Sequence, residues 1–188
     1  INVRDTPIEQ LTKTGLIVDD TAFDFDMIIF ATGFDAMTGS LLKIDVTGRE
    51  GVKLADKWAA GPTTYLGLGV HGFPNLFMVS GPGSPSVLSN MIVTIEQHVD
   101  FIFTCLDFLK TSGFTTIEAE AEAEAAWVAQ CNSIAGETLF PTCNSWYLGA
   151  NVPGKPRIFM PFVGGFPLYQ TICEEVEAAN YKGFRLAS

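Results

Sequence analysis

The run Asp26-Met27-Ile28-Ile29-Phe30, followed directly by Ala31-Thr32-Gly33-Phe34-Asp35, constrains this chain more than any other stretch. An apolar block closed by a small-Thr-Gly corner predicts a fully buried strand over residues 26–31 that ends in a tight turn. In open α/β sheets, strand ends of this kind are where nucleotide cofactors dock. Gly33 has no Cβ and tolerates positive φ, so a ligand or a neighbouring backbone can approach it closely. The pattern fits equally an ordinary buried strand with a glycine turn, and its neighbours in the sequence have to decide.

At 188 residues the chain can bury roughly 70% of its unfolded surface in one core. Its apolar share of 47% and mean hydropathy of +0.26 are high for that size, which predicts surface meant for a partner domain. The opening Ile1-Asn2-Val3 reads as a chain entered partway through a strand, so the expectation is a piece of a larger protein. The net charge of −10, with 11 scattered basic residues, argues against nucleic acid as a partner, because phosphate binding needs clustered Lys and Arg. No apolar run approaches the roughly 18 residues of a membrane span, and no signal peptide opens the chain. Cys105, Cys131, Cys143 and Cys173 are widely spaced without a CxxC pair, and are read as free thiols in a reducing compartment. Together these features predict a soluble, cytoplasmic, acidic α/β protein.

Short strands are expected over residues 1–19, with Lys13-Thr14-Gly15 as a turn between two of them. Residues 36–61 read as an irregular excursion with one helical turn at Leu54–Trp58. Strand candidates follow at Tyr65–Gly69 and Asn75–Ser80, and the segment Gly81-Pro82-Gly83-Ser84-Pro85 reads as a rigid loop. Leu88, Met91, Ile92, Ile95, Val99, Ile102, Leu106 and Leu109 then recur at helical spacing up to a stop at Ser112-Gly113. A strand at Thr115–Ile117 precedes an Ala- and Glu-rich helix over 118–137, anchored by Trp127 and Val128, whose acidic residues are assigned to a solvated face. Residues 138–157 form a long loop of the kind that serves as a lid or binding loop. A helix near Leu168–Ala179 and a strand near Phe184–Leu186 close the chain.

Gly67-Leu68-Gly69-Val70-His71-Gly72 has the form of a dinucleotide fingerprint but not its context. Phe73-Pro74 and an apolar strand-like run follow it where a helix would have to start. The Gly81–Pro85 loop is the better ligand candidate, because its composition suits close passage of a ligand and the next helix offers free N–H groups at its positive end. Read locally, Ser84 caps that helix with Pro85 at its first position, or the loop runs on and Ser89 or Asn90 caps it. His71 and His98 have no sequence-adjacent Ser or Cys partner, and two distant histidines give no metal-ligand spacing. In the long loop, Trp146 can offer a ligand both an apolar face and an indole N–H, or can anchor the loop by tucking into the surface.

These stretches together resemble the C-terminal portion of the Baeyer–Villiger monooxygenases, class B flavin-dependent monooxygenases, nearest the phenylacetone, steroid and cyclohexanone branch. The residues that carry the resemblance are Asp26–Ala36, Trp58–Pro62, Tyr65–Gly67, Gly81–Ser86, Asn144–Asn151, Pro153–Arg157, Phe159–Pro161, Gly164-Gly165 and Tyr181–Phe184. The resemblance implies a Rossmann-like two-dinucleotide-domain flavoprotein, incomplete in this chain. Residues 1–30 would end the NADPH domain and return to the FAD domain, and 31–188 would complete the FAD domain. It implies FAD and NADPH as cofactors, and a ketone and O2 as substrates that yield an ester or lactone. The remaining N-terminal part of the same enzyme is the implied partner. It places Ala31, Thr32 and Gly33 at the domain junction, Asn90 and Met91 against the flavin, and Trp146 at the NADPH ribose. Ser86, Val87, Leu88 and Ser89 would line the ketone pocket, and the loop would continue past Ser84 before the helix starts. The family's nucleotide fingerprints and catalytic arginine have no match here, and Arg4 and Arg157 do not lie in that arginine's context. No catalytic residue is therefore assigned to this chain. The competing readings are a non-catalytic interaction module with the same fold and an N-hydroxylating flavin monooxygenase.

Overall fold

The computed structural model describes residues 1–3, 5–31 and 33–188, with all their side chains except that of Val87. Two compact units result, Ile1–Gly33 and Phe34–Ser188.

The first unit is an antiparallel meander of β1 (Gln10–Leu11), β2 (Gly15–Val18) and β3 (Thr21–Asp24). The β1–β2 turn lies at the expected Lys13-Thr14, where Thr12 Oγ1 accepts the Gly15 N–H at 2.9 Å. Asp19 and Asp20, with φ of 52° and 55°, make the two-residue β2–β3 turn, whose left-handed corner matches the twist of the strands it joins. Gly15 is obligatory, because a Cβ there would lie 1.7 Å from the Phe23 carbonyl oxygen.

The buried strand expected over 26–31 does not form. Residues 27–31 have no regular structure, and Met27, Ile29 and Phe30 are 75%, 80% and 67% exposed. A strand apolar on both faces needs hydrogen-bonding neighbours and covering helices. The described residues supply neither to this run.

The second unit contains the short helices α1 (Gly39–Leu42) and α2 (Leu54–Lys57), then α3 (Met91–Ser112), β4 (Thr116–Ala119), α4 (Ala121–Gly136), α5 (Phe166–Ala178) and β5 (Phe184–Ala187). β4 and β5 pair antiparallel. The composition is mixed α/β as expected, although every named strand pairing among the described residues is antiparallel. The main core joins α3, α4 and α5 through Phe101, Cys105, Trp127, Cys131, Tyr169 and Cys173, with β4 and β5 closing one side. A second cluster gathers Leu54, Trp58, Val70, Phe73 and Met78.

α3 stops where Gly113 takes φ 76°, a left-handed cap that glycine adopts without strain. Its buried stripe is Thr94, His98, Phe101, Cys105 and Leu109, while Ile92, Val99, Phe103 and Leu106 face outward. A helix apolar on most of its circumference expects neighbours on more than one side.

Three further expectations are corrected. Tyr65–Gly69 is a tight turn closed by one bridge, with Leu66 and Gly67 at φ 58° and 72°. Asn75–Ser80 is irregular between two left-handed residues, Asn75 and Ser80, and its side chains divide between two cores. The acidic run before and into α4 is not wholly a solvated face. Glu118 and Glu124 are buried, because cations from distant segments reach them.

Arg49 Nε and Arg185 Nη2 donate to Glu118 Oε2 at 2.5 and 2.8 Å, and the Gly72 N–H donates to Oε1 at 3.0 Å. Burial pushes the Glu118 carboxyl up, but the bonds from Arg49, Arg185 and Gly72 outweigh it and hold its pKa below the ordinary value. Lys57 Nζ donates to Glu124 Oε2 at 2.9 Å. These pairs fasten the 49–72 excursion to β4 and α4. Cys105, Cys131 and Cys173 are buried free thiols, and Cys143 is exposed.

Candidate functional site

The Gly81–Pro85 loop is held by three hydrogen bonds from other segments of the protein. Thr64 Oγ1 donates to the Pro82 carbonyl at 2.6 Å, Trp127 Nε1 to the Gly83 carbonyl at 3.0 Å, and the Phe162 N–H to the Ser84 carbonyl at 2.7 Å. A Cβ on Gly81 would lie 2.5 Å from the Gly67 carbonyl oxygen, and one on Gly83 would lie 2.9 Å from Thr64 Oγ1. On the side where a Cβ would stand, Gly81 and Gly83 therefore serve close protein packing. Gly67, first glycine of the false fingerprint, packs against Ser84, and no helix opens on that motif.

The chain then makes a 3-10 turn at Ser86–Leu88 before α3 starts. Ser86 is buried with φ 45°, a left-handed position for a side-chain-bearing residue. Ser89 Oγ bonds the Ser86 carbonyl at 3.1 Å and lies 2.6 Å from Thr94 Oγ1, which ties the turn to the first turn of α3. Leu88 packs against the cluster formed by Ala135, Leu148 and Phe159. Asn90 is the cap of α3, the later of the alternatives: its Oδ1 accepts from Ile92 N at 3.0 Å and Val93 N at 3.5 Å. The Met91 N–H has no acceptor among the described residues and is the open donor at the positive end of a 22-residue helix.

The long loop is built rather than slack. Its 3-10 turn Trp146–Leu148 is capped by Ser145 Oγ, which accepts the Tyr147 N–H at 3.1 Å. Tyr147 packs edge-on against Phe140, and Leu148 is buried against Phe159 and Ala135. Trp146 stays half-buried, its ring 4.1 Å from that of Tyr147. Arg157 donates through Nη1 to Asn144 Oδ1, so it braces the loop that carries Trp146.

Segments far apart in sequence meet at Phe34–Thr38, immediately after the glycine corner. Asn151 Nδ2 donates to the Phe34 carbonyl at 2.8 Å. Lys155 Nζ bonds Asp35 Oδ1 and, at 2.7 Å, Thr38 Oγ1. Ser86 Oγ lies 3.4 Å from Met37 Sδ. The turn at Ser86–Ser89 and the Trp146 loop are thus joined through one short strip. Sequence reasoning gave Asn151, Lys155, Asp35 and Met37 no role. Asp35 and Lys155 are 120 positions apart, and only their opposite charge hinted at the pairing.

Of the expected junction residues, Ala31 is exposed, Gly33 takes φ 76°, and Thr32 lies outside the described residues. Val87 lies in the 3-10 turn. Among the described residues no group of three or more His, Cys, Asp or Glu could hold a metal ion, and no helix is long and apolar enough to cross a membrane.

No family model matches the chain. Curated relatives do. Acetone monooxygenase (methyl acetate-forming) of Gordonia sp. (strain TY-5) is 44% identical over 187 residues, 98% of this chain and 35% of that protein. A Baeyer-Villiger monooxygenase of Pseudooceanicola batsensis is 38% identical over 181 residues, 96% of this chain and 33% of that protein. The solved OTEMO complex with FAD and NADP is similar with a TM-score of 0.91 and 38% identity, over 100% of this chain and 34% of that one.

Over nearly all of its own length the chain is similar to part of these monooxygenases, a Baeyer–Villiger monooxygenase among them. It spans about a third of the length of these relatives. Structural similarity at this identity fixes the mixed α/β fold.

Proposed function

We propose that this chain is the C-terminal portion of an FAD- and NADPH-dependent monooxygenase that acts in the cytoplasm and inserts one oxygen atom of O2 beside a ketone carbonyl, giving an ester or lactone. The observation that carries the reading is the convergence of the Ser86–Ser89 turn and the Trp146 loop on Phe34–Thr38. It brings a pocket wall, a helix start and an aromatic-bearing loop into one neighbourhood, as a site shared by two nucleotides and a substrate requires.

The residues fit a flavin at the start of α3. A helix terminus with one open N–H favours an electron-rich carbonyl oxygen, and Asn90 has already satisfied the next two donors. In this reading Met91 N–H and Asn90 face the flavin, Ser86, Val87, Leu88 and Ser89 form the ketone wall, and Trp146 meets NADPH. Ala31, Thr32 and Gly33 lie at the junction of the NADPH and FAD domains, with residues 1–30 on the NADPH side. Oxygen activation is chemistry that the bound, reduced flavin supplies. The chain's own residues orient the ring, shape the apolar pocket and sense the nicotinamide cofactor. None of them is assigned a catalytic role.

Replacing Trp146 by Ala in the full-length protein tests the loop assignment. The expected result is a higher NADPH requirement and more NADPH consumed per product, with FAD still bound. Unchanged steady-state kinetics would leave Trp146 as a loop anchor only. Substitutions at Leu88 should alter which ketones are accepted, since one methylene in an apolar pocket is worth about 1–3 kcal/mol.

A further inference from the structure

His98 is fully buried in α3 and belongs to none of the groups assigned above. Its Nδ1 accepts the Ser80 backbone N–H at 2.9 Å, and its Nε2 lies 2.8 Å from Tyr169 Oη. Tyr169 Oη in turn donates to the Leu66 carbonyl at 2.7 Å. These contacts fix the tautomer. Nδ1 is spent as an acceptor, so Nε2 carries the proton and donates to Tyr169, whose own hydrogen goes to Leu66.

The two backbone ends of this relay are not ordinary positions. Ser80 and Leu66 are both left-handed, with φ of 56° and 58°, a conformation that side-chain-bearing residues keep only when their surroundings hold it. Among the described residues Ser80 Oγ is buried without a partner, and the His98 bond is the polar tie that holds this residue. Ser80 is also the entrance to the clamped Gly81–Pro85 loop, which delivers Ser86–Ser89 and then Met91. Because α3 carries both His98 and Met91, the relay fixes the loop entrance relative to the same helix that begins at the loop's exit.

We propose that neutral His98 is a positioning residue: by bridging the Ser80 N–H to Tyr169, it sets the conformation of the Gly81–Pro85 loop and the placement of the Ser86–Ser89 turn in the ketone pocket. The second half of this inference rests on the proposed function, and the first half does not.

Three variants of the full-length protein separate the two ends of the relay. His98→Asn places an amide oxygen near the Nδ1 position and keeps an acceptor for Ser80. His98→Gln reaches toward Tyr169 but removes that acceptor, and His98→Leu removes both. Amide hydrogen exchange over residues 77–85 should speed up at least about tenfold in the Gln and Leu variants, the scale of one lost buried hydrogen bond, and stay near wild type in the Asn variant. Ketone KM should rise in the Gln and Leu variants with kcat per bound flavin little changed, and the Asn variant should restore it. A purely structural histidine would lower the fraction of folded enzyme without moving KM. Equal exchange in the Asn and Gln variants overturns the strut, and the comparison stands even if the Leu variant does not fold. Faster exchange with unchanged KM overturns the pocket assignment. A wild-type protein whose NADPH oxidation no ketone stimulates sinks the functional reading, while the exchange pattern still decides the strut.

Discussion

At the residue scale, the relay through His98 ties protonation to stability. Burial lowers the His98 pKa from 6.5 to about 4. A charged ring would turn an N–H toward the Ser80 N–H, two donors facing one another. Above pH 6.5 the ring is neutral in both folded and unfolded chains, and it imposes no penalty. As pH falls from 6.5 toward 4 the unfolded chain takes up the proton and the folded one does not, so stability drops by roughly 3 kcal/mol from this group. Glu118 acts lower: its pKa is depressed, so its contribution is present above about pH 4.5 and lost as pH falls below that. Urea unfolding midpoints should therefore be flat between pH 8 and 7 and fall between pH 6.5 and 4.5, with the upper part of the fall missing in His98→Asn. A midpoint constant down to pH 5 would contradict the buried neutral imidazole. None of this was legible in the sequence. His98 reads as one more position on a helix, and its partners lie 18 and 71 residues away.

At the element scale, what the sequence shows depends on whether the forces are local. The long run of α3, its stop at Gly113 and the turn at Lys13-Thr14 follow from periodicity and turn chemistry, and the structure reproduces them. The buried face of α3 was harder, because apolar residues occur around most of the helix and the core takes Thr94 and His98 where side-chain bonds satisfy them. The strand expected at 26–31 fails for a non-local reason, since its neighbours are absent from the described residues. The site was legible only in part. The Ser86–Ser89 turn and Trp146 stand out in the sequence, but the strip Phe34–Thr38 that joins them does not, since the bond pairing Asp35 with Lys155 closes a loop of 120 positions. Two element-scale predictions follow from the caps. Asn90→Ala, which frees the donors of Ile92 and Val93, should cost about 1 kcal/mol, read as a lower Tm with FAD affinity also reduced. Gly113→Ala, at φ 76° with open space around it, should cost about 1 kcal/mol through backbone strain alone and leave FAD affinity unchanged.

At the scale of the whole molecule, the outward stripe of α3 and the exposed Met27, Ile29, Phe30 and Phe34 account for much of the high hydropathy. The relatives are about three times as long as this chain, which agrees with surfaces built to be covered by more protein. The 188-residue chain on its own should enhance the fluorescence of a hydrophobic dye strongly, and the full-length protein should not; equal, weak enhancement by both would mean that these faces need no cover. The central claim is that this chain completes a ketone-oxidising flavoenzyme. Its most direct test is the full-length protein given FAD, NADPH, a simple ketone and oxygen-18 gas, with the product read by mass spectrometry. The account predicts an ester or lactone carrying one labelled oxygen atom, formed with NADPH oxidation that the ketone accelerates. A protein that binds no flavin, or one that oxidises NADPH without placing labelled oxygen in any ketone-derived product, would contradict it.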